Sequence, residues 1–397
     1  MRNKRVRICM ITPFFFPGVG GTEIMVDGLA NELVRRGHDV CVITPKYKDA
    51  CKADSLKNYK VYRFPLLPVG LFTRFSSNPR FSSYHWLFKF LLLPLFILYY
   101  DLKEHFHLIH AHYITPSGTG GVVGKLLGIP LIVTTHGEVQ VNRSINYGVM
   151  LSPITAAVMR LTLKFVDKLI LVSDHMMPEA LNAGASSEKI EVAYNFVDLN
   201  GIKSGCGSIL KKYGLEKGAY VLYVGRLAPE KGLLSLLKNI KEIFKSKHDL
   251  KFAIAGYGID ECKLKSYVHA ENLDNSVMFV GCVKEAQKWD LFANSLAVVM
   301  PSITEAFGLS AIEAMASGTT IIAMNKPPFC EYIENGVTGI LVDNMKDFPR
   351  EITNLMRNPE KKRLIDKNAK KFVETNFSLE NICSKYEEIY KEVLGTA

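Results

Sequence analysis

The sequence predicts an α/β protein built from two doubly wound parallel sheets, and three observations carry that prediction. Its 397 residues exceed what one α/β core usually takes, at roughly 150 residues per domain. Short β-branched and apolar runs recur through both halves, with helical patterns between several of them. Most of those runs are almost continuously apolar, as parallel strands covered on both faces are.

In the first half the predicted strands are 6–11, 40–43, 108–111, 131–134 and 168–172. Between the first two, 23–36 sets Met25, Leu29 and Leu33 on one stripe with Val26 and Ala30 beside it, and Gly37 follows as a C-cap. The second half repeats the alternation with strands at 220–224, 251–255, 276–280, 296–300 and 320–323. Polar, glycine-containing sequence over 194–218 interrupts the pattern, so the expected domains are 1–193 and 194–377. Ile382, Tyr386, Ile389, Tyr390 and Val393 repeat at helical spacing, and this C-terminal helix, 378–397, is expected to pack back on the first domain. The sequence has no internal repeat and no low-complexity tract.

Apolar residues make up 48% and charged residues 22% of the chain, a globular composition. The eight cysteines form no C-x-x-C pair and no cluster with histidine, which indicates reduced, cytosolic thiols rather than a disulfide framework or a zinc site. Of the net charge of +10, the first half holds +8, from 22 basic and 14 acidic residues in 1–193. Such a field draws nucleic acid, an anionic membrane surface or a phosphorylated substrate. No helix-turn-helix, zinc or aromatic-platform signature accompanies it, so nucleic acid is the disfavoured partner. The apolar run 8–11 is much shorter than a signal-peptide core of about 7–15 residues, and no secretion signal is expected.

The segment 86–100 (WLFKFLLLPLFILYY) is almost wholly apolar but, at 15 residues, falls short of a membrane span of roughly 20. Two readings stay open. One is a buried core helix. The other is a monotopic surface element, with Trp86, Tyr99 and Tyr100 suited to a membrane interface and Arg74, Arg80, Lys89 and Lys103 within it or flanking it.

Three segments could carry chemistry. The first, 17–23 (PGVGGTE), lies between a strand and a helix, where glycine lets backbone N–H groups approach an anion; a turn that merely needs glycine explains it as well. The second, 225–232 (GRLAPEKG), puts Arg226 at the end of a parallel strand and Lys231 one loop later, two cations that could clamp a diphosphate. The alternative is a set of solvated loop charges with Glu230 paired to Lys231.

The third, 301–318 (PSITEAFGLSAIEAMASG), stops a strand at Pro301, carries Glu305 on a loop, and opens a helix at Gly308 that closes at Gly318. Glu313 falls about one turn or slightly more into that helix, roughly 7 Å along its axis. Free N–H groups near Gly308, Leu309 and Ser310 would hold an anion. Glu313 could be a structural carboxylate, yet among Ala311, Ile312, Ala314, Met315 and Ala316 an unpaired carboxylate is costly.

Together GRLAPEKG at 225–232, the Glu-x7-Glu pair of Glu305 and Glu313, GVGGTE at 18–23 and Thr135-His136-Gly137 resemble the retaining glycosyltransferases of family 4, in order and over nearly the whole chain. The resemblance implies the GT-B fold, two Rossmann-like domains facing across a cleft, with acceptor binding on the first and nucleotide-sugar binding on the second. It implies a hexosyltransferase that moves a hexose or N-acetylhexosamine from a nucleoside-diphosphate sugar to a glycan or lipid-linked acceptor of the cell surface. By this resemblance Arg226, Lys231, Gly20 and Gly21, with the turn at Phe307, Gly308, Leu309 and Ser310, bind the donor diphosphate. Glu313 holds the ribose, Val283 and Lys284 lie at the base, Glu305 and His136 act beside the transferred sugar, and Asn195 belongs to an interdomain motif.

The chain departs from the family in reading Ala306-Phe307-Gly308 where Gly-Phe-Gly is frequent, and in lacking a Gly-Gly pair before Glu331. It contains no Asp-x-Asp, the usual carboxylate holder of a divalent metal, so catalysis is expected to need neither metal nor cofactor. The expected location is cytoplasmic, peripheral on the inner membrane face. Two alternatives stay open: a nucleotide-sugar epimerase or sugar phosphorylase, and a non-catalytic binder of nucleotide sugar or phospholipid. His107, His110 and His112 are expected to be partly buried or exposed imidazoles rather than a metal site.

Overall fold

A computed structural model describes residues 5–16, 20–46, 54, 57–65, 79–137, 153–202, 207–246 and 249–395, without the side chains of 79–91, 153–154 and 245–246. The chain divides into two compact units, Met1–Tyr194 with Leu379–Ala397, and Asn195–Ser378. Each is a parallel sheet with helical connections, as strands apolar on both faces require.

The first unit has seven strands: β1 Arg7–Ile11, β2 Asp39–Pro45, β3 Lys60–Phe64, β4 Leu108–His112, β5 Leu131–Thr135, β6 Lys168–Leu171 and β7 Ile190–Val192. Their order is β3-β2-β1-β4-β5-β6-β7, every neighbouring pair parallel. The order reverses between β1 and β4. The second unit has β8 Tyr220–Val224, β9 Lys251–Ala255, β10 Val277–Gly281, β11 Ala297–Met300, β12 Ile321–Met324 and β13 Ile340–Val342, in the order β10-β9-β8-β11-β12-β13 and again all parallel. Its reversal lies between β8 and β11. In open sheets of this kind, ligands bind beyond the carboxyl ends of the strands at that reversal.

Strands β3, β7 and β13 were not expected from the sequence. All three lie at sheet edges, and the partly exposed strands β3 (KVYRF) and β7 (IEV) lack the continuous apolar run that marks a central strand.

The helix Leu379–Val393 buries Ile382, Cys383, Tyr386, Ile389 and Tyr390 against the first unit. An ion cluster fastens it there. Arg36 Nη1 donates to Glu387 Oε2 at 2.6 Å while Arg36 Nε donates to Glu32 Oε1 at 2.7 Å. His38 Nε2 lies 2.9 Å from Glu387 Oε1. Burial pushes the Glu387 carboxyl up, but the hydrogen bonds from His38 and Arg36 outweigh it and hold the group below the usual carboxylate range.

The apolar segment 86–100 belongs to a longer helix, Pro79–Glu104, that is neither wholly buried nor wholly exposed in its described part. Leu93 and Ile97 are buried, whereas Leu95, Tyr99 and Leu102 face solvent. Arg74 lies outside the described residues, as do the side chains of Arg80, Trp86 and Lys89. Among the described residues no helix is long and apolar enough to cross a membrane.

Candidate active site

At the reversal of the second sheet, two loops leave the carboxyl ends of adjacent strands. Gly225 and Arg226 follow β8, and Pro301 and Ser302 follow β11. The loops are locked together at Gly232, whose φ of +68° belongs to the left-handed region. A Cβ there would stand 2.2 Å from the Pro301 carbonyl oxygen, so this approach admits only glycine. Ile303 N–H donates to the Glu230 carbonyl at 2.9 Å, a second tie between the loops.

This packing brings one of the predicted cations, Lys231, to the predicted carboxylate Glu305. Lys231 Nζ donates to Glu305 Oε2 at 2.5 Å, with the side chains only 13% and 15% exposed, and Ser302 Oγ donates to the same oxygen at 3.3 Å. Arg226 Nη2 donates to Glu230 Oε1 at 3.0 Å and remains half exposed. The sequence alternative that paired Glu230 with Lys231 is therefore corrected: Glu230 takes Arg226, and Lys231 takes Glu305, because the 3-10 turn Pro229–Lys231 points consecutive side chains in different directions. Beneath Arg226, the Tyr223 hydroxyl donates to its carbonyl at 2.7 Å. Burial first, and then the Glu305 charge, hold that phenol protonated.

Gly308 caps the helix Leu309–Ala316 with φ +85°, leaving the first N–H groups of the helix without intrahelical acceptors. Leu309 and Ser310 form its first turn, so the anion-binding end predicted for this segment is present as geometry. Phe307 contributes backbone only. Its ring is fully buried against Tyr332 and Phe377, with centroids 5.4 and 5.7 Å away, and its carbonyl accepts from the Tyr332 hydroxyl at 2.9 Å.

Glu313 lies within that helix and is 8% exposed. It is not unpaired. Lys288 Nζ, from the helix Glu285–Asn294, donates to its Oε1 at 2.7 Å. Burial pushes the Glu313 carboxyl up, and the Lys288 charge opposes that shift. Sequence reasoning missed Lys288, since nothing in a single chain shows which carboxylate a lysine on a neighbouring helix meets. Val283 and Lys284 follow β10, and the Lys284 N–H donates to Gln287 Oε1 at 3.0 Å at the start of the same helix.

The remaining predicted residues belong to the first unit. Gly21 opens the helix Gly21–Arg35 after β1. Glu23 folds back over that end: a Cβ on Gly20 would stand 2.7 Å from Glu23 Oε2, and burial pushes the Glu23 carboxyl up. Pro17, Gly18 and Val19 of this motif lie outside the described residues. Thr22 Oγ1 and the Tyr113 hydroxyl are 2.8 Å apart, which joins the first turn of the helix Gly21–Arg35 to the loop after β4. Tyr113 holds φ +78°, an unusual value for a bulky side chain, and its ring lies 5.2 Å from that of His136.

His136 follows β5 and meets a histidine cluster. His112 Nδ1 and His136 Nε2 are 3.0 Å apart with the rings stacked. His110 lies between the Tyr390 hydroxyl at 2.7 Å and Thr134 Oγ1 at 2.8 Å. The expectation of exposed or half-buried imidazoles is corrected for His110 and His112, which are fully buried because they sit on the central strand β4 beneath the C-terminal helix. His107 is bonded too, accepting the Arg7 backbone N–H on Nδ1 at 3.1 Å.

Burial lowers His110 to about 3 and His136 to about 4, and it also pushes His112 well down, so all three are neutral at physiological pH. His112 Nε2 has no hydrogen-bond partner among the described residues. A buried lone pair is cheaper than an orphaned N–H. His112 therefore keeps its proton on Nδ1 and donates to His136 Nε2, which leaves His136 protonated on Nδ1.

Comparison with known proteins follows the same division. Residues 19–200 match the family described as glycosyltransferase family 4, and residues 208–372 match glycosyl transferases group 1. An uncharacterized glycosyltransferase of Methanocaldococcus jannaschii is 27% identical over 98% of this chain and 100% of its own length. N-acetyl-alpha-D-glucosaminyl L-malate synthase of Bacillus anthracis is 24% identical over 96% of both chains. Among solved structures, Anabaena HepE in complex with UDP and glucose superposes with a TM-score of 0.77 over 98% of this chain and 100% of its own, at 20% identity. With two parallel α/β units, the paired motif loops at the second sheet's reversal and these matches, the chain belongs to the family 4 glycosyltransferases, enzymes of the GT-B fold.

Proposed function

We propose that the enzyme transfers a hexose or N-acetylhexosamine from a nucleoside-diphosphate sugar to a glycan or lipid-linked acceptor, with retention of anomeric configuration and without a metal ion. The observation that carries this reading is the meeting of Lys231 with Glu305, beside Arg226, at the carboxyl ends of β8 and β11. Breaking the sugar–phosphate bond builds negative charge on the leaving diphosphate and positive charge at the anomeric carbon. Arg226, Lys231 and the start of the helix Leu309–Ala316 suit the first, and the Glu305 carboxylate suits the second. Glu313 would take the ribose hydroxyls, Val283 and Lys284 the base, and Gly20 and Gly21 the phosphates. His136, neutral and protonated on Nδ1, would donate to a sugar hydroxyl. The leaving phosphate would help deprotonate the acceptor on the face it departs from.

Two of the similar proteins, the N-acetyl-alpha-D-glucosaminyl L-malate synthase and HepE in complex with UDP and glucose, favour this donor class. The positive charge of the first half and the exposed Leu95, Tyr99 and Leu102 favour work at the cytoplasmic face of a membrane. The chain's lack of Asp-x-Asp favours metal independence.

The test is product analysis of the purified enzyme with a panel of nucleotide sugars, simple glycosides and lipid-linked acceptors, in the presence and absence of EDTA. Release of free nucleoside diphosphate with a new glycosidic bond of the donor's own anomeric configuration supports the reading. An epimerised donor, a sugar phosphate, or binding without turnover overturns it. Flotation with vesicles containing phosphatidylglycerol at low salt tests the membrane clause separately, and failure to float removes that clause alone.

A further inference from the structure

Lys288 has no role in the reading above, yet it is a lysine that the fold has taken almost entirely out of water, at 8% exposed. Its ammonium is 2.7 Å from Glu313 Oε1, 3.0 Å from Glu285 Oε1 and 5.1 Å from the centroid of the Trp289 ring. A buried cation on a flexible stem is retained where a specific anion requires it. That anion is Glu313, whose helix neighbours Ala311, Ile312, Ala314 and Met315 are fully buried.

The other elements packed on the helix Leu309–Ala316 contribute no hydrogen bond to this carboxylate among the described residues. Strands β11 and β12 are apolar on all their residues. The helix Pro359–Asn376 carries Lys362, Asp366 and Lys370, and there Asp366 is held by Thr320 Oγ1 at 2.5 Å and by Lys362 Nζ at 2.6 Å. From the helix Glu285–Asn294 come the Lys288 charge and the weaker, opposing charge of Glu285.

We propose that Lys288 is a positioning residue for nucleotide recognition, holding the Glu313 carboxylate charged and fixed in one orientation so that it accepts both hydroxyls of a ribose diol. The inference rests on the assignment of Glu313 to the ribose. A vicinal diol offers two O–H donors, and an ionised carboxylate has acceptor sites for both even with one lone pair committed to the ammonium. A neutral carboxyl spends one oxygen as a donor and loses that match. Without Lys288, burial favours the neutral form, and the side chain also loses the contact that fixes its rotamer.

The experiment is calorimetric titration of the full chain and of Lys288→Met with UDP, ADP and GDP, followed by the 2′,3′-dideoxy counterpart of the tightest binder. The expected result is that Lys288→Met weakens the ribonucleotide about tenfold or more, weakens the dideoxynucleotide less than about twofold, and that the ribonucleotide deficit shrinks as the pH is raised and Glu313 ionises. Lys288→Arg should restore most of the ribonucleotide affinity, and Lys288→Gln should not. Those two substitutions carry the same comparison should Lys288→Met fail to fold. Equal weakening of both nucleotides, or none of the ribonucleotide, overturns the proposal. If the unaltered chain binds none of the three diphosphates, the nucleotide-sugar reading itself fails and the role of Lys288 goes with it.

Discussion

Substituting Gly232 by alanine should disable the active site through the backbone alone. Two costs follow from the structure. At φ +68° an alanine meets the left-handed penalty, about 1–2 kcal/mol. Its Cβ would also sit 2.2 Å from the Pro301 oxygen, and relief to an ordinary contact of 3.4 Å moves the two loops apart by roughly 1 Å. That separation stretches the Ile303–Glu230 hydrogen bond at 2.9 Å and the Lys231–Glu305 pair at 2.5 Å, adding about 1–2 kcal/mol. Gly214 supplies the control: its φ is +58° and nothing lies within 4 Å of a built Cβ, so Gly214→Ala meets the first cost only. Chemical denaturation of both variants should show Gly232→Ala the less stable by about 1–2 kcal/mol, with kcat/KM reduced at least about tenfold in that variant alone. Equal stability of the two variants together with unimpaired turnover of Gly232→Ala would refute the argument that this contact builds the site.

Glu305→Gln should lower kcat by about 100–1000-fold while the donor KM stays within about threefold, because on the proposed mechanism it removes charge beside the transition state and releases Lys231 to the diphosphate; steady-state kinetics decide it, and a change confined to KM contradicts it. Glu387→Gln should loosen the C-terminal helix, costing about 1–3 kcal/mol and exposing Leu379–Val393 to limited proteolysis, since Arg36 and His38 lose their shared acceptor; unchanged melting and protection would count against it. The buried histidines set a pH response. His110 at about 3 and His136 at about 4 lie below the ordinary imidazole range, so the unfolded chain binds protons that the folded chain refuses. Their stabilising contribution is complete above about pH 6.5 and is lost as pH falls below it. Glu387, held below its usual range, adds to that loss only below about pH 4.3. Urea titrations from pH 7.5 to 4.5 should show stability falling from near pH 6, with a shallower slope for His110→Gln; a flat profile between pH 5 and 7 would rule out neutral burial.

Much of the fold was legible because parallel strands announce themselves. The ten predicted strands each overlap an observed one, since a strand buried on both faces must be apolar along its length whatever its neighbours are. Of the three strands that escaped, β3 and β7 are partly exposed edge strands, on which that constraint is relaxed, and β13 is an apolar run of only three residues. The order of motifs along the chain placed Arg226, Lys231, Glu305 and Glu313 at strand ends or just beyond them, on loops and a helix start. Their partners were another matter. That Lys231 meets Glu305, that Glu230 takes Arg226, that Lys288 neutralises Glu313 and that His112 orients His136 all depend on contacts between segments remote in sequence or on the turn between them. Backbone periodicity and local turn chemistry are written residue by residue, so sequence determined the sheets, the loops and the identity of the charged groups. Protonation state and hydrogen-bond partner are set by burial and by distances of a few ångströms across the packed chain, and only the tertiary structure decided those.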